Sequence, residues 1–197
     1  MSEKPDRKKT RRMLLLLGAI SLAPFAGSLL LYLFWKPTSF TNYGELLPVT
    51  PLGESVIAAK QGPGFRIADL RGKWVFLMAD AAACDEHCKA KLYLMRQIRL
   101  TQGKDQDRIE RLWLVTDGGT PAAELAKEYD GTRVVVAADD AFTRRLPAKA
   151  SVADHVYILD PLGNLMMRFP RDPDLSRVKR DVSRLIKASS GWVQKGQ

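Results

Sequence analysis

The chain of 197 residues contains two cysteines, Cys84 and Cys88, which lie four positions apart. A disulfide between them closes a very small loop and removes little entropy from the unfolded chain, so we interpret the pair as reactive rather than as a structural staple. A thiolate attacks disulfides and binds metal ions, and it is favoured at the N-terminus of a helix. Within a helix, this spacing would place both sulfurs on one face, with α-carbons about 6 Å apart.

Copper is the metal that these cysteines would favour, because soft thiolates select Cu(I) and imidazole also binds copper. The two histidines of the chain are His87, inside the motif CDEHC, and His155. Either can supply a third ligand, and we predict a site formed by Cys84, Cys88 and His155. The alternative without metal is a thiol–disulfide oxidoreductase, in which Cys84, expected to be the more exposed sulfur, attacks and Cys88 resolves. A purely structural disulfide is the remaining interpretation.

The N-terminal region predicts a membrane anchor. Residues 13–35 form a run of 23 residues without a charged side chain, which is long enough to cross a bilayer as a helix. Six basic side chains lie within residues 1–12, and basic flanks favour the cytoplasmic side. A cleaved signal peptide is the alternative, because residues 23–28 (APFAGS) offer a cleavage site. Both interpretations export the rest of the chain.

The net charge of +9 raises the question of nucleic acid binding. Residues 1–12 hold six basic and two acidic side chains, so about four of the nine excess charges belong to the predicted cytoplasmic tail. The rest of the sequence lacks the basic stripe with interleaved aromatic residues that a nucleic-acid interface needs. We therefore expect no nucleic-acid partner.

The remaining sequence predicts an α/β fold, a mixed sheet flanked by helices. Residues 36–61 are predicted to be a linker, with room for a short edge element, residues 62–190 a folded domain and residues 191–197 a C-terminal tail. Short apolar runs alternate with helical periodicity within the domain. The predicted strands are 74–78, 111–116, 133–137, 155–159 and 165–169; the predicted helices are 84–101, one from 120, a short one at 141–146 and 175–188. The cysteine pair then lies after a central strand, at the edge where α/β sites usually form.

Several segments of the domain resemble the Sco/SenC family of thioredoxin-like proteins, which are assembly factors for the copper site of cytochrome c oxidase. LRGKWVFL at 70–77 is similar to the LxGK strand of that family, and CDEHC at 84–88 stands at its CxxxC motif. LVTD at 114–117 and YILDPLG at 157–163 are similar to later strands. Two positions differ: Lys89 replaces the usual proline, and Val152 stands at the place of the copper-binding histidine, three residues before His155.

The resemblance implies a thioredoxin-like periplasmic domain on a single anchor in the bacterial inner membrane. It implies copper(I) delivery to cytochrome c oxidase, or reduction of cysteines at its copper site. The expected partner is an oxidase subunit or another copper or thiol protein. A general periplasmic thiol–disulfide oxidoreductase and a non-catalytic membrane-tethered interaction domain remain the alternatives, so both a copper chaperone and an enzyme stay open.

Overall fold

The computed structural model describes residues 7–34 and 42–191, which belong to two compact units, residues 1–41 and 42–197. The first unit contains helix α1 (Arg7–Phe34), which includes Pro24. Within it, Thr10–Phe34 is long and apolar enough to cross a membrane. The outer part of the predicted basic tail, the predicted end of the anchor at Trp35, the start of the predicted linker and most of the C-terminal tail lie outside the described residues.

The second unit is built on a six-stranded mixed sheet, and the predicted α/β class with flanking helices is confirmed. The strands of this sheet are β1 (Glu45–Pro51), β4 (Trp74–Asp80), β5 (Ile109–Val115), β6 (Thr132–Val136), β7 (Val156–Leu159) and β8 (Asn164–Arg168). Their spatial order is β1-β8-β7-β4-β5-β6. A small second sheet pairs β2 (Val56–Ile57) with β3 (Phe65–Arg66). The helices are α2 (Glu86–Thr101), α3 (Ala123–Glu128) and α4 (Leu175–Ala188).

Strand β4 is central, parallel to β5 and antiparallel to β7. Its side chains alternate between two buried clusters on opposite faces of the sheet. Trp74, Phe76 and Met78 join the cluster that also contains residues of α2 and α4, while Val75 and Leu77 join the other. Burial on both faces explains why the strand is a continuous apolar run.

Several predicted boundaries differ from the structure by a few residues, and two segments differ in kind. Residues 45–51, predicted as part of a linker, form β1 and pair with β8 at the edge of the sheet. The sequence allows only a short edge element here, because Pro48 and Pro51 remove backbone donors. Prolines are nevertheless tolerated in an edge strand such as β1. The predicted helix at 141–146 is a 3₁₀ turn, Thr143–Arg145.

Helix α4 is fastened to the start of the domain by a buried carboxylate. Asp181 is 3% exposed, and its Oδ2 accepts hydrogen bonds from the backbone N–H groups of Tyr43 and Gly44 at 2.7 and 2.9 Å. A buried polar group that loses its partner costs more free energy than the bond itself contributes. This contact therefore ties residues just before β1 to the C-terminal helix.

We expect Asp181→Ala to lower the free energy of unfolding by about 3 kcal/mol, because two buried N–H donors lose a charged acceptor. Urea unfolding of the oxidised protein measures this change. Lys179→Ala on the exposed side of the same helix is the control and should change the free energy by less than about 0.5 kcal/mol. Equal effects of the two substitutions would contradict the assignment.

Candidate dithiol site

The cysteine pair lies at the junction of β4 and α2, where the sequence predicts it. Strand β4 ends at Asp80, and α2 begins at Glu86, so residues 81–85 form the connecting loop. Cys84 and Cys88 are joined by a disulfide with α-carbons 5.0 Å apart. Cys84 precedes the helix and has a φ angle of 40°, in the left-handed region that non-glycine residues seldom adopt. The predicted start of the helix at Cys84 is therefore wrong by two residues, and only Cys88 is helical.

Asp85 caps helix α2. Its side chain accepts a hydrogen bond from the backbone N–H of Cys88 at 2.9 Å, and this bond is the main reason why the pKa of Asp85 lies below its usual value. The carboxylate thereby occupies a donor of the first helical turn, where a thiolate of Cys88 would otherwise gain stabilisation. The helix terminus is consequently less favourable to a thiolate than the sequence alone indicates.

The disulfide is buried, so the prediction that Cys84 is exposed is wrong. Cys84 is 3% exposed and Cys88 is 0% exposed. Both belong to the core cluster on the α2 and α4 side of the sheet, together with Ala82 and Tyr129. A thiolate can attack only a sulfur that it reaches, so any exchange with another molecule requires local opening of this region.

The segment after β5 holds the cysteine loop in place. Both carboxylate oxygens of Asp117 lie 3.1 Å from the backbone nitrogen of Ala82, and Oδ1 also accepts the N–H of Gly119 at 3.0 Å. An added β-carbon at Gly119 would lie 2.7 Å from the β-carbon of Ala82, so a larger residue does not fit there. Asp117 was not predicted as part of the site. Its position after β5 could have indicated it, because the ends of parallel neighbouring strands such as β4 and β5 meet at one edge of the sheet.

Asp117→Ala should speed the reduction of the disulfide by dithiothreitol roughly tenfold, because Ala82 loses its charged acceptor and the loop opens more readily. Alkylation of the released thiols at successive times measures the rate. Asp139→Ala is the control, since Asp139 accepts only the N–H of Ala141 within its own exposed turn. An unchanged rate in Asp117→Ala would show that this carboxylate does not hold the loop closed.

The effect of Asp117 should also depend on pH. Hydrogen bonds from Gly119 and Ala82 hold the pKa of its carboxyl below the usual value. The ionised Asp117 carboxylate therefore stabilises the closed loop fully at a pH above the usual pKa of aspartate. This stabilisation is lost as the pH falls through the lowered pKa of Asp117. The ratio of reduction rates between Asp117→Ala and the unaltered protein should approach one at that acidic limit.

A buried ion pair lies at the same edge of the sheet. Lys91 of α2 is 2% exposed, and its Nζ lies 2.6 Å from Oδ2 of Asp80, the last residue of β4. The same ammonium donates to the carbonyl oxygen of Ala153. The pair was not predicted, because a lysine within a helical repeat is ordinarily exposed. It joins the end of β4, the body of α2 and the turn before β7.

The structure does not bring the predicted metal ligands together. The Nδ1–H of His155 donates to the carbonyl oxygen of Phe169 at 2.8 Å, which leaves Nε2 as the ring nitrogen able to bind a metal. In His87, Nε2 is buried without a hydrogen-bond partner, and Nδ1 lies 3.7 Å from a carboxylate oxygen of Asp172. Across residues 7–34 and 42–191, no three His, Cys, Asp or Glu side chains group into a metal site. In this oxidised state the two sulfurs are not available as thiolate ligands, so copper binding would require the reduced pair.

Comparison with known protein families confirms the thioredoxin-like character of the domain. Residues 74–189 match the family model of the transmembrane-like, thioredoxin-like C-terminal domain. No curated protein sequence matches the chain. The match includes the cysteine pair, all three helices of the domain and all strands from β4 onwards.

Solved structures share this fold at low sequence identity. The apo Sco1 protein of Thermus thermophilus superposes with a TM-score of 0.55 at 16% identity, covering 77% of this chain and 98% of that protein. Copper-bound yeast Sco1 gives 0.55 at 14% identity, with 76% and 96% covered. A DsbF homologue from Corynebacterium diphtheriae gives 0.56 at 15% identity, with 77% and 97% covered. The predicted thioredoxin-like fold is therefore confirmed, and it is shared by Sco proteins and by the DsbF homologue, so the fold does not distinguish copper handling from disulfide exchange.

Proposed function

The chain belongs to the family of transmembrane-like, thioredoxin-like C-terminal domains, and on that premise we propose that it is a membrane-anchored thiol–disulfide exchange protein. The observation that carries the proposal is the disulfide between Cys84 and Cys88 at the junction of β4 and α2. Active sites of α/β folds form at this edge of the sheet. Asp117 and Asp80 both accept hydrogen bonds from backbone N–H groups of the cysteine loop. These bonds would have to break when the loop opens.

Cys84 is the attacking sulfur in this proposal. It lies in the loop before α2, whereas Cys88 lies inside the helix and is fully buried. In the reduced protein, the Cys84 thiolate attacks a disulfide of the target; a mixed disulfide forms, and the second target sulfur leaves as a thiolate. The Cys88 thiolate then attacks the sulfur of Cys84, which restores the internal disulfide and releases the first target sulfur. Two electrons pass to the target, and the released thiolates take up the protons that the two cysteines lost.

The target that we propose is a cysteine pair at the copper site of a cytochrome c oxidase subunit, reduced before the metal is inserted. The Sco-like fold and the motif resemblance support this choice. Basic residues precede the apolar part of α1, among them Arg11 and Arg12, and by the positive-inside rule they support a periplasmic position of the thioredoxin-like domain. A single uncleaved anchor would hold the domain on the side of the inner membrane where such a site is assembled.

The reduction potential of the dithiol tests the proposal. The full chain in detergent is equilibrated with glutathione redox buffers, and alkylation followed by mass measurement gives the reduced fraction. We expect a potential between about −270 and −120 mV, the range of disulfide oxidoreductases. A value below about −300 mV, which is typical of structural disulfides, would contradict exchange activity.

Copper(I) delivery is the second candidate, and the copper-bound structure of yeast Sco1, which has the same fold, favours testing it. Anaerobic titration of the reduced full chain with Cu(I) is the measurement. Stoichiometric binding that His155→Ala abolishes and His87→Ala preserves would support copper handling. Absence of binding, together with a potential in the oxidoreductase range, would leave disulfide exchange alone. If Cys84→Ser/Cys88→Ser leaves oxidase assembly intact in cells, a non-catalytic interaction domain is favoured over both.

A further inference from the structure

The outer face of α4 is strongly basic. Val178, Val182 and Ile186 of this helix are buried in the core, so the opposite side faces solvent. The single acidic residue of the helix, Asp181, is buried and bound to backbone N–H groups. The exposed residues of α4 therefore include five cations and no acid: Arg177, Lys179, Arg180, Arg184 and Lys187.

Four of these cations are concentrated on one side of the helix, and Lys179 lies at its margin. Arg177, Arg180, Arg184 and Lys187 follow one another at spacings of three or four residues, which places them along one face. Arg177 lies over the ring of Tyr43, 4.2 Å from its centre. Lys179, Arg180 and Lys187 form no salt bridge with any part of the chain that the structure describes. Like charges on one helix face repel one another, so this face is suited to an anionic surface.

We propose that the outer face of α4 binds the anionic phospholipid headgroups of a membrane. Clusters of four to eight lysines and arginines on an amphipathic helix recognise anionic lipid headgroups. Helix α1 is apolar and long enough to enter a bilayer, and ten residues, 35–44, separate its end from β1. Because both units belong to one chain, an anchor in the bilayer raises the local concentration of lipid headgroups around the domain. The inference rests on the anchor of the proposed function and is independent of its thiol chemistry.

Lysine labelling tests the inference on the full chain. The protein is reconstituted in nanodiscs of phosphatidylcholine, or of phosphatidylcholine mixed with phosphatidylglycerol, and treated with a water-soluble acylating reagent. Mass spectrometry then gives the labelling rates of Lys179 and Lys187. We expect both rates to fall about fivefold in the anionic nanodiscs at low salt and to recover at high salt. Lys149, close to Leu146 of the cluster on the opposite face of the sheet, should be labelled equally in both lipids.

Charge reversal distinguishes lipid binding by the outer face of α4 from general electrostatic attraction between the protein and the membrane. Arg180→Glu should remove most of the protection of Lys179 and Lys187, whereas Arg144→Glu, near Phe142 of the opposite cluster, should leave it intact. Equal labelling in the two lipids, protection that survives high salt, or equal effects of the two reversals would each overturn the inference. The reduction potential is measured on the same samples, so a failure of lipid binding is distinguished from a failure of the dithiol chemistry.

Discussion

Cys84→Ser should reduce disulfide exchange to the uncatalysed background, and Cys88→Ser should stop the reaction one step later. In the proposed sequence, Cys84 forms the bond to the target and Cys88 releases it. Without Cys84 we expect no mixed disulfide, because Cys88 is held within α2, whereas Cys84 lies in the loop that must open. Without Cys88 the mixed disulfide forms but is not resolved, so a covalent complex accumulates. The two variants therefore have opposite signatures, although neither completes a cycle.

The measurement uses a peptide that contains a disulfide and carries a fluorescent label. Turnover with a reductant reports the complete cycle, and a non-reducing gel reports the covalent complex, which is expected with Cys88→Ser and absent with Cys84→Ser. Each variant also loses a small-loop disulfide, which should cost about 2 kcal/mol of stability, so urea unfolding must show that both remain folded. If Cys84→Ser instead accumulates the complex, the roles of the two sulfurs are reversed.

The strands that the sequence predicts well are those whose side chains are buried on both faces. Strand β4 and strand β7 are uninterrupted apolar runs, since each packs against both core clusters. Strand β1 is different, because its residues are mostly exposed and it contains two prolines. It is stabilised by pairing with β8, more than a hundred residues later in the chain. Local patterns carry no information about that pairing, so the domain begins earlier than predicted.

The candidate site likewise combines features that local sequence patterns predict with features that depend on distant parts of the chain. The position of Cys84 and Cys88 between a strand and a helix follows from local periodicity. Their burial does not, because both cysteines pack in a cluster with residues distant in the chain, such as Tyr129. The pairing of β4 with β5 also brings Asp117 to Ala82 of the cysteine loop. The position of His155 is likewise set by its bond to Phe169 on a neighbouring segment. The cysteines and histidines in the sequence therefore indicated a metal site, but the predicted ligands do not form one in the oxidised, described part of the protein.

Lys91→Met should be the most destabilising single substitution near the site. Its ammonium is buried between Asp80 and the carbonyl group of Ala153. Methionine keeps the apolar contacts of the side chain but leaves the Asp80 carboxylate without its cation, in a place where only 14% of that side chain is exposed. Removing one partner of a buried ion pair costs about 3–5 kcal/mol. Urea unfolding of the oxidised protein at neutral pH gives the value.

Asp80→Asn in the Lys91→Met background identifies the cause. If the uncompensated carboxylate is responsible, the double variant should be more stable than Lys91→Met alone, because the amide has no charge to bury and still accepts the hydrogen bond of Ala81. Arg144→Ala is the matched surface control, since its pair with Asp140 is exposed, and it should cost less than about 1 kcal/mol. If the double variant instead loses as much free energy of unfolding as the two single variants together, Lys91 acts through packing. The charge of Asp80 is then tolerated without the Lys91 ammonium.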